Sequence, residues 1–70
     1  MVVRVEYRTE KNEWVRKYLK PEKITETPEV VELHLSGTRF ITLQKSDGDL
    51  AGVYLNLGGT CWETIYEKSA

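Results

Sequence analysis

Few side chains in this sequence could carry out covalent chemistry. Cys61 is the only cysteine and His34 the only histidine, so they form the one conventional pair of nucleophile and near-neutral base. The alternation of residues puts both on the same side of the predicted strands, but on different hairpins, and no helix terminus is predicted near Cys61 to activate its thiol. A single cysteine excludes an internal disulfide and makes a zinc site unexpected. We therefore predict a passive thiol, a surface imidazole and no enzyme activity.

The acidic residues also lack the spacing that catalysis or metal binding needs. Asp47-Gly48-Asp49 has the start of a calcium loop, but no acid follows before Glu63, and such a loop needs a glutamate at its twelfth position. Asp-Gly is a strong turn dipeptide, so we predict a turn that could also serve as an acidic recognition loop. Glu63 and Glu67 fit a solvated strand edge, not the deep cleft of a hydrolase. We expect no metal, no cofactor and no small-molecule substrate.

Charge is unevenly distributed along the chain. The segment that ends at Lys23 has seven basic and four acidic residues, a net charge of +3, whereas the remainder has three basic and seven acidic residues, a net charge of −4. The overall charge of −1 is therefore the difference between a basic beginning and an acidic remainder.

Aromatic residues lie among the arginines of this basic segment. The predicted partner-binding residues here are Arg4, Arg8, Trp14, Arg16 and Tyr18. Arginine and aromatic side chains anchor protein interfaces, and the same residues could stack bases and contact phosphates of a single-stranded nucleic acid. A third interpretation is a solvated sheet face on which arginine stems cover the rings. The sequence pI of about 5.8 argues against the nucleic-acid hypothesis.

Apolar residues recur at every second position, which predicts strands. Six strands are expected, near residues 2–8, 13–20, 29–36, 39–44, 53–57 and 60–67. The predicted fold is all-β: a six-strand antiparallel meander that forms a small barrel or a two-layer sandwich. The alternative is an α+β fold with a short helix near residues 13–20, because the apolar residues there also fit helical spacing and Pro21 would end the helix. Segments 21–28 and 45–52 are predicted to be irregular.

Turn residues predict the strand registers. A three-residue loop at 10–12, with Asn12 in the left-handed conformation, aligns β-partners Val3 with Leu19, Arg4 with Tyr18, Glu6 with Arg16, Tyr7 with Val15 and Arg8 with Trp14. A turn at Ser36-Gly37-Thr38 aligns Val31 with Leu43 and Leu33 with Ile41, whereas a loop one residue shorter would turn Phe40 inward. A two-residue turn at Gly58-Gly59 aligns Val53 with Thr64 and Leu55 with Trp62. The predicted core is Val3, Val5, Tyr7, Val15, Leu19, Val31, Leu33, Leu35, Ile41, Leu43, Val53, Leu55, Leu57 and Trp62.

Some apolar residues of the later strands are out of step with this core. They are Val30, Phe40, Tyr54 and Ile65, and we add them to the predicted partner-binding set. A domain of 70 residues has little core, so a second chain is a natural source of further burial. The leading hypothesis is a non-enzymatic protein-interaction module, with a homodimer as one form of it. The alternative is a single-stranded nucleic-acid binder.

Length and hydropathy complete the expectations. Seventy residues suit a single domain that spans 1–70. No apolar run reaches the roughly 18 residues that a membrane helix needs, and the first residues alternate valine with charge, unlike a signal peptide. We expect a cytoplasmic protein that does not bind membranes.

Overall fold

The computed structural model describes residues 1–68 and is built from seven β-strands. They are β1 (Val3–Arg8), β2 (Trp14–Leu19), β3 (Lys23–Glu26), β4 (Val30–His34), β5 (Phe40–Gln44), β6 (Leu50–Gly58) and β7 (Cys61–Glu67). The all-β prediction is confirmed. Residues 13–20 contain strand β2, not the helix of the alternative prediction. Within residues 1–68 no helix has the length and apolar character to cross a membrane.

The strands form two antiparallel sheets, with strand orders β2-β1-β6-β7 and β3-β4-β5. Strand β1 pairs with both β2 and β6, so the chain is not the predicted simple meander. The buried residues of both sheets form one cluster: Val3, Val5, Leu50 and Val53 from the first sheet, and Val31, Leu33 and Leu43 from the second. The two layers are therefore a small sandwich, and within the described residues the sheets do not close into a barrel.

Most of the predicted core is buried or packs against this cluster. Tyr7, Leu19, Ile41 and Leu55 are partly buried around it. Leu50 is fully buried although it lies in a segment that was predicted to be irregular. Leu57 was predicted to be in the core and is exposed, because it lies where the pairing of β6 with β7 is interrupted near the turn.

The first hairpin has the predicted register. Val3 pairs with Leu19, Tyr7 with Val15, and the intervening residues follow in order. Asn12 has a φ of 64°, and the Thr9 amide donates to the Glu13 carbonyl at 2.8 Å. The small energy penalty of asparagine in the left-handed region makes it suited to this loop position.

Strand β3 was missed because its signal is short. It lies inside segment 21–28, and its one aliphatic side chain, Ile24, pairs with Leu33 of the neighbouring strand. Four residues with a single apolar position give too little alternation to predict a strand. The register of β4 with β5 agrees with the prediction, since Val31 pairs with Leu43 and Leu33 with Ile41.

The last hairpin was predicted in the wrong register. Gly58 pairs with Cys61 and Asn56 with Trp62, so the turn is shifted by one residue and a bulge follows it. The Asn56 side chain stabilises this arrangement, because its Oδ1 accepts from the Gly58 amide at 2.8 Å and its Nδ2 donates to the Gly59 carbonyl at 3.2 Å. A shift of one residue turns a strand over. Trp62 therefore points away from the core that it was predicted to join.

A second bulge lies where β7 passes Val53 and Tyr54. Tyr54 pairs with Thr64 and Val53 with Tyr66, which leaves Ile65 as the extra residue. Ile65 and Tyr66 both pack against the core. The prediction that Ile65 points outward is therefore wrong, because the one-residue shift of the last hairpin had already exchanged the two faces of β7 before this bulge.

Candidate functional site

The four-stranded sheet turns one side to the core and the other to solvent. Residues that pair across neighbouring strands lie on the same side of a sheet, so the strand pairing identifies the side chains that point away from the core. The pairs on this side are Arg4 with Tyr18 and Tyr54, Glu6 with Arg16, Arg8 with Trp14, and Asn56 with Trp62. We define the outer face as Arg4, Glu6, Arg8, Trp14, Arg16, Tyr18, Tyr54 and Trp62. Six of the nine predicted partner-binding residues thus lie on one surface.

Arg4 is the centre of the outer face. Its guanidinium carbon lies 4.7 Å from the centre of the Tyr54 ring and 4.5 Å from that of Trp62. Both distances are within the range of favourable cation–π contacts. Only 21% of the Arg4 side chain is exposed, so the three side chains form a layer over strands β1, β6 and β7.

Glu6 lies beside this cation and beside a second arginine, Arg16. Its Oε2 lies 2.8 Å from Arg4 Nε and 3.4 Å from Arg16 Nε. The shorter contact lacks the angle of a hydrogen bond, so we describe it as an ion pair. Glu6 is 14% exposed, which reduces the screening of its charge by solvent. This carboxylate orients arginines from both strands of the first hairpin.

Tyr54 is held on the other side of the same network. Its hydroxyl donates to Glu67 Oε2 at 2.8 Å, and burial, followed by this hydrogen bond, raises the pKa of Tyr54 to about 12. The ring covers the backbone of Gly52 so closely that a Cβ there would lie 2.5 Å from the Tyr54 hydroxyl. Glycine at position 52 is therefore required for the observed position of the ring.

The most accessible aromatic side chains of the outer face lie on strand β2. Trp14 is 60% exposed and Tyr18 is 59% exposed, with Arg16 between them on the same side. Arg8 lies 5.7 Å from the Trp14 ring centre. A groove of about 410 Å³ runs from Trp14 across to Tyr54. The sheet thus presents a line of apolar rings beside a recess with charged walls.

The other predicted partner-binding residues are not part of this surface. Phe40 and Val30 belong to the three-stranded sheet, where their positions in the β4–β5 ladder put them on its outward side. Phe40 is 58% exposed and stacks on His34 with a centroid distance of 6.0 Å. Ile65 contributes to the core. The proposed set therefore divides into one connected surface, two residues on the outward side of the other sheet, and one partly buried residue.

The two candidate catalytic side chains lie in different sheets. Cys61 is exposed at the start of β7, whereas His34 is in β4, with Thr25 Oγ1 at 3.4 Å from its Nε2. Asp47 forms a turn, since its Oδ1 accepts from the Asp49 amide at 2.9 Å. Across residues 1–68, no three or more metal-ligating side chains are grouped closely enough to hold an ion.

Two members of the outer face were not predicted as site residues. Trp62 was assigned to the core because of the register error in the last hairpin. The signal that points to the correct register is Asn56, whose amide can bind the backbone of a turn two residues later. Glu6 was recognised only as a partner of Arg16, and its contact with Arg4 needs the tertiary structure to be seen.

Comparisons of this chain with protein-family models, with curated proteins and with solved structures found no match.

Proposed function

We propose that this chain is a small, non-enzymatic protein-interaction module and that the outer face binds the partner. The observation that carries the proposal is the exposure of Trp14 and Tyr18 on either side of Arg16. Tryptophan, tyrosine and arginine are the residue types that most often dominate the binding energy of interfaces. Exposed rings of this size favour association because their burial removes apolar area from water.

The packed part of the outer face supports the proposal by limiting the entropy cost of binding. Arg4 is held between two rings and beside Glu6, so this layer has few side-chain rotamers to lose when a partner docks. The accessible rings of β2 would supply the contact area, and the layer behind them would supply a rigid support. A second copy of this chain is one partner that such a surface could take.

The contrasting proposal is a single-stranded nucleic-acid binder. Its support is the Arg8–Trp14 pair and the exposed Arg16, which resemble a stacking platform with phosphate contacts. Two carboxylates on the same side of the sheet, Glu6 and Glu67, offset two of the three arginine charges of the outer face and so weaken its attraction for a phosphate backbone. For this reason we favour a protein partner.

Affinity capture with matched variants tests the proposal. The bait is the folded chain, the source is a nuclease-treated native lysate, and the variants are Trp14→Ala/Tyr18→Ala and Phe40→Ala. Phe40 is a matched control because it is equally exposed but lies in the other sheet. We expect wild type and Phe40→Ala to retain the same protein and the double variant to lose it, with circular dichroism unchanged in all three.

Two outcomes contradict the proposal. One is a partner that the double variant retains as well as wild type does. The other is capture from an untreated lysate that is absent from the nuclease-treated one, together with quenching of tryptophan fluorescence by an oligonucleotide that weakens steeply with salt. The second result would favour nucleic-acid binding.

A further inference from the structure

Strand β2 is an edge strand whose outward backbone is open. In residues 1–68 its only neighbour is β1. Thr9 and Glu13 form a hydrogen-bonded pair, and antiparallel ladders alternate such pairs with non-bonded ones. The amide and carbonyl groups of Val15 and Lys17 therefore point to β1, whereas those of Trp14, Arg16 and Tyr18 point away from the sheet. Three of the four exposed residues of β2, Trp14, Arg16 and Tyr18, therefore also have free backbone groups.

Charges on β2 strongly restrict what can pair with this edge. Arg16 and Lys17 are adjacent basic residues, and a charged residue on an edge strand normally protects it from association. If a second copy pairs antiparallel with Arg16 or Lys17 on the twofold axis, that residue faces its own copy. Directly opposed like charges destabilise a pair of strands. Charge therefore disfavours both of these registers.

In one register of β2 with the same strand of a second copy, these charges have attractive partners. With Val15 on the twofold axis, Trp14 lies opposite Arg16 of the second copy, and Glu13 lies opposite Lys17 of the second copy. The free backbone groups of Trp14 and Arg16 then meet, because both point outward from their sheets. Both cross-strand pairs occur twice in the dimer. Trp14 and Arg16 form a cation–π pair on the outer face, and Glu13 and Lys17 form an ion pair on the inner side. Alternative registers lack this set.

We infer that two copies of this chain associate antiparallel through strand β2, with Val15 on the twofold axis. The inference rests on the proposed function in that it names a second copy as a partner of this region. The two four-stranded sheets become one continuous sheet, and the two outer faces become one surface with Trp14 and Arg16 at its centre. The twofold symmetry closes the assembly at a dimer, since each copy uses its β2 edge once.

Charge reversal of the predicted ion pair tests the register directly. The measurement is sedimentation equilibrium over a concentration series for wild type, Glu13→Lys, Lys17→Glu and the double variant. Each single substitution turns two attractive pairs into two repulsive ones, so we expect the dimer to weaken by about thirtyfold or more. The double variant restores opposite charges and should dimerise like wild type. An equimolar mixture of the two single variants should form a heterodimer, because both cross-strand pairs are then attractive.

Strand β5 provides the control. It is also an edge strand, and its residues 40–44 contain no charge, so it is the competing site for self-association. Thr42→Lys places a charge at its centre and should leave the dimer unchanged. A wild-type chain that stays monomeric up to about 1 mM overturns the inference, and so does a dimer that Thr42→Lys abolishes and Glu13→Lys does not.

The same variants separate this inference from the proposed function. A monomeric wild-type chain that still captures a partner through Trp14 and Tyr18 would refute the dimer and leave the protein-binding proposal intact. A dimer with the predicted charge dependence but no captured partner would support the dimer and refute binding of a different protein.

Discussion

The outward sides of the two sheets differ in how their side chains are connected. On the four-stranded sheet, Arg4 contacts two rings and a carboxylate, and its neighbours continue the network to Glu67. On the three-stranded sheet, His34 has one weak contact with Thr25 and one stacking contact with Phe40. The two surfaces expose aromatic residues to a similar degree, so exposure alone does not distinguish them. What distinguishes the outer face is that its charged groups and its rings are in direct contact with one another.

The largest effect should follow from removal of the central cation. We expect Arg4→Ala to lower the free energy of unfolding by about 2 kcal/mol, because Glu6 loses its closest counter-charge and the rings of Tyr54 and Trp62 lose a packing partner. Urea unfolding monitored by tryptophan fluorescence measures this change. Arg16→Ala is the control, because Arg16 is 61% exposed and pairs with the same carboxylate. Its cost should stay below about 0.5 kcal/mol. Equal losses of unfolding free energy in the two variants would show that Arg4 contributes no more to stability than an exposed arginine.

The next effect tests the close approach of Tyr54 to the backbone. Gly52→Ala should cost about 1–2 kcal/mol, because the new Cβ would overlap the tyrosine ring and displace it from Glu67 and Arg4. Gly48→Ala is a matched control, since a Cβ there meets no atom within 4 Å. Thermal unfolding of both variants measures the difference. If Gly52→Ala is as stable as Gly48→Ala, the close contact between position 52 and the Tyr54 ring is contradicted.

A pH dependence should distinguish the two surfaces in alkaline solution. The pKa of Tyr54 is about 12 in the folded chain and 10.0 for an ordinary tyrosine. The folded state thus retains a proton that the unfolded state releases, so the stabilisation is complete below pH 10 and is lost as the pH rises through about 12. Tyr54→Phe should flatten the fall in unfolding free energy over this interval. Ultraviolet absorbance of tyrosinate monitors the titration, and an unchanged alkaline profile would contradict the assignment.

The smallest effect should come from the three-stranded sheet. Phe40→Ala removes an exposed ring with one stacking neighbour, and we expect a loss of about 0.5 kcal/mol or less. Chemical denaturation alongside Arg4→Ala gives the comparison. A cost as large as that of Arg4→Ala would mean that the two surfaces are equally connected.

The two outer hairpins of the four-stranded sheet show how far sequence reasoning extends. For β1 and β2, Asn12 and the opposed charges were sufficient to predict every pair of the ladder. For β6 and β7, two adjacent glycines permit more than one turn, and side-chain bonding from Asn56 selects the observed one. The prediction that rings and arginines share one face was correct where it relied on the register of the first hairpin. The facing of Trp62 and Ile65 was wrong, because both depended on the register of the last hairpin, which is shifted by one residue.

Sequence alone determined that this chain is all-β, which residues form the interior of four of its strands, and that rings and arginines share one side of the first hairpin. These properties depend on side-chain alternation and local turns, which neighbouring residues specify. The tertiary structure decided that β1 pairs with β6, that the layers form a sandwich, and that Arg4 lies between Tyr54 and Trp62. These properties depend on contacts between distant segments and on bulges that shift a strand by one residue. A shift of that size exchanges the two faces of a strand, so only the assembled sheet shows which side each residue occupies.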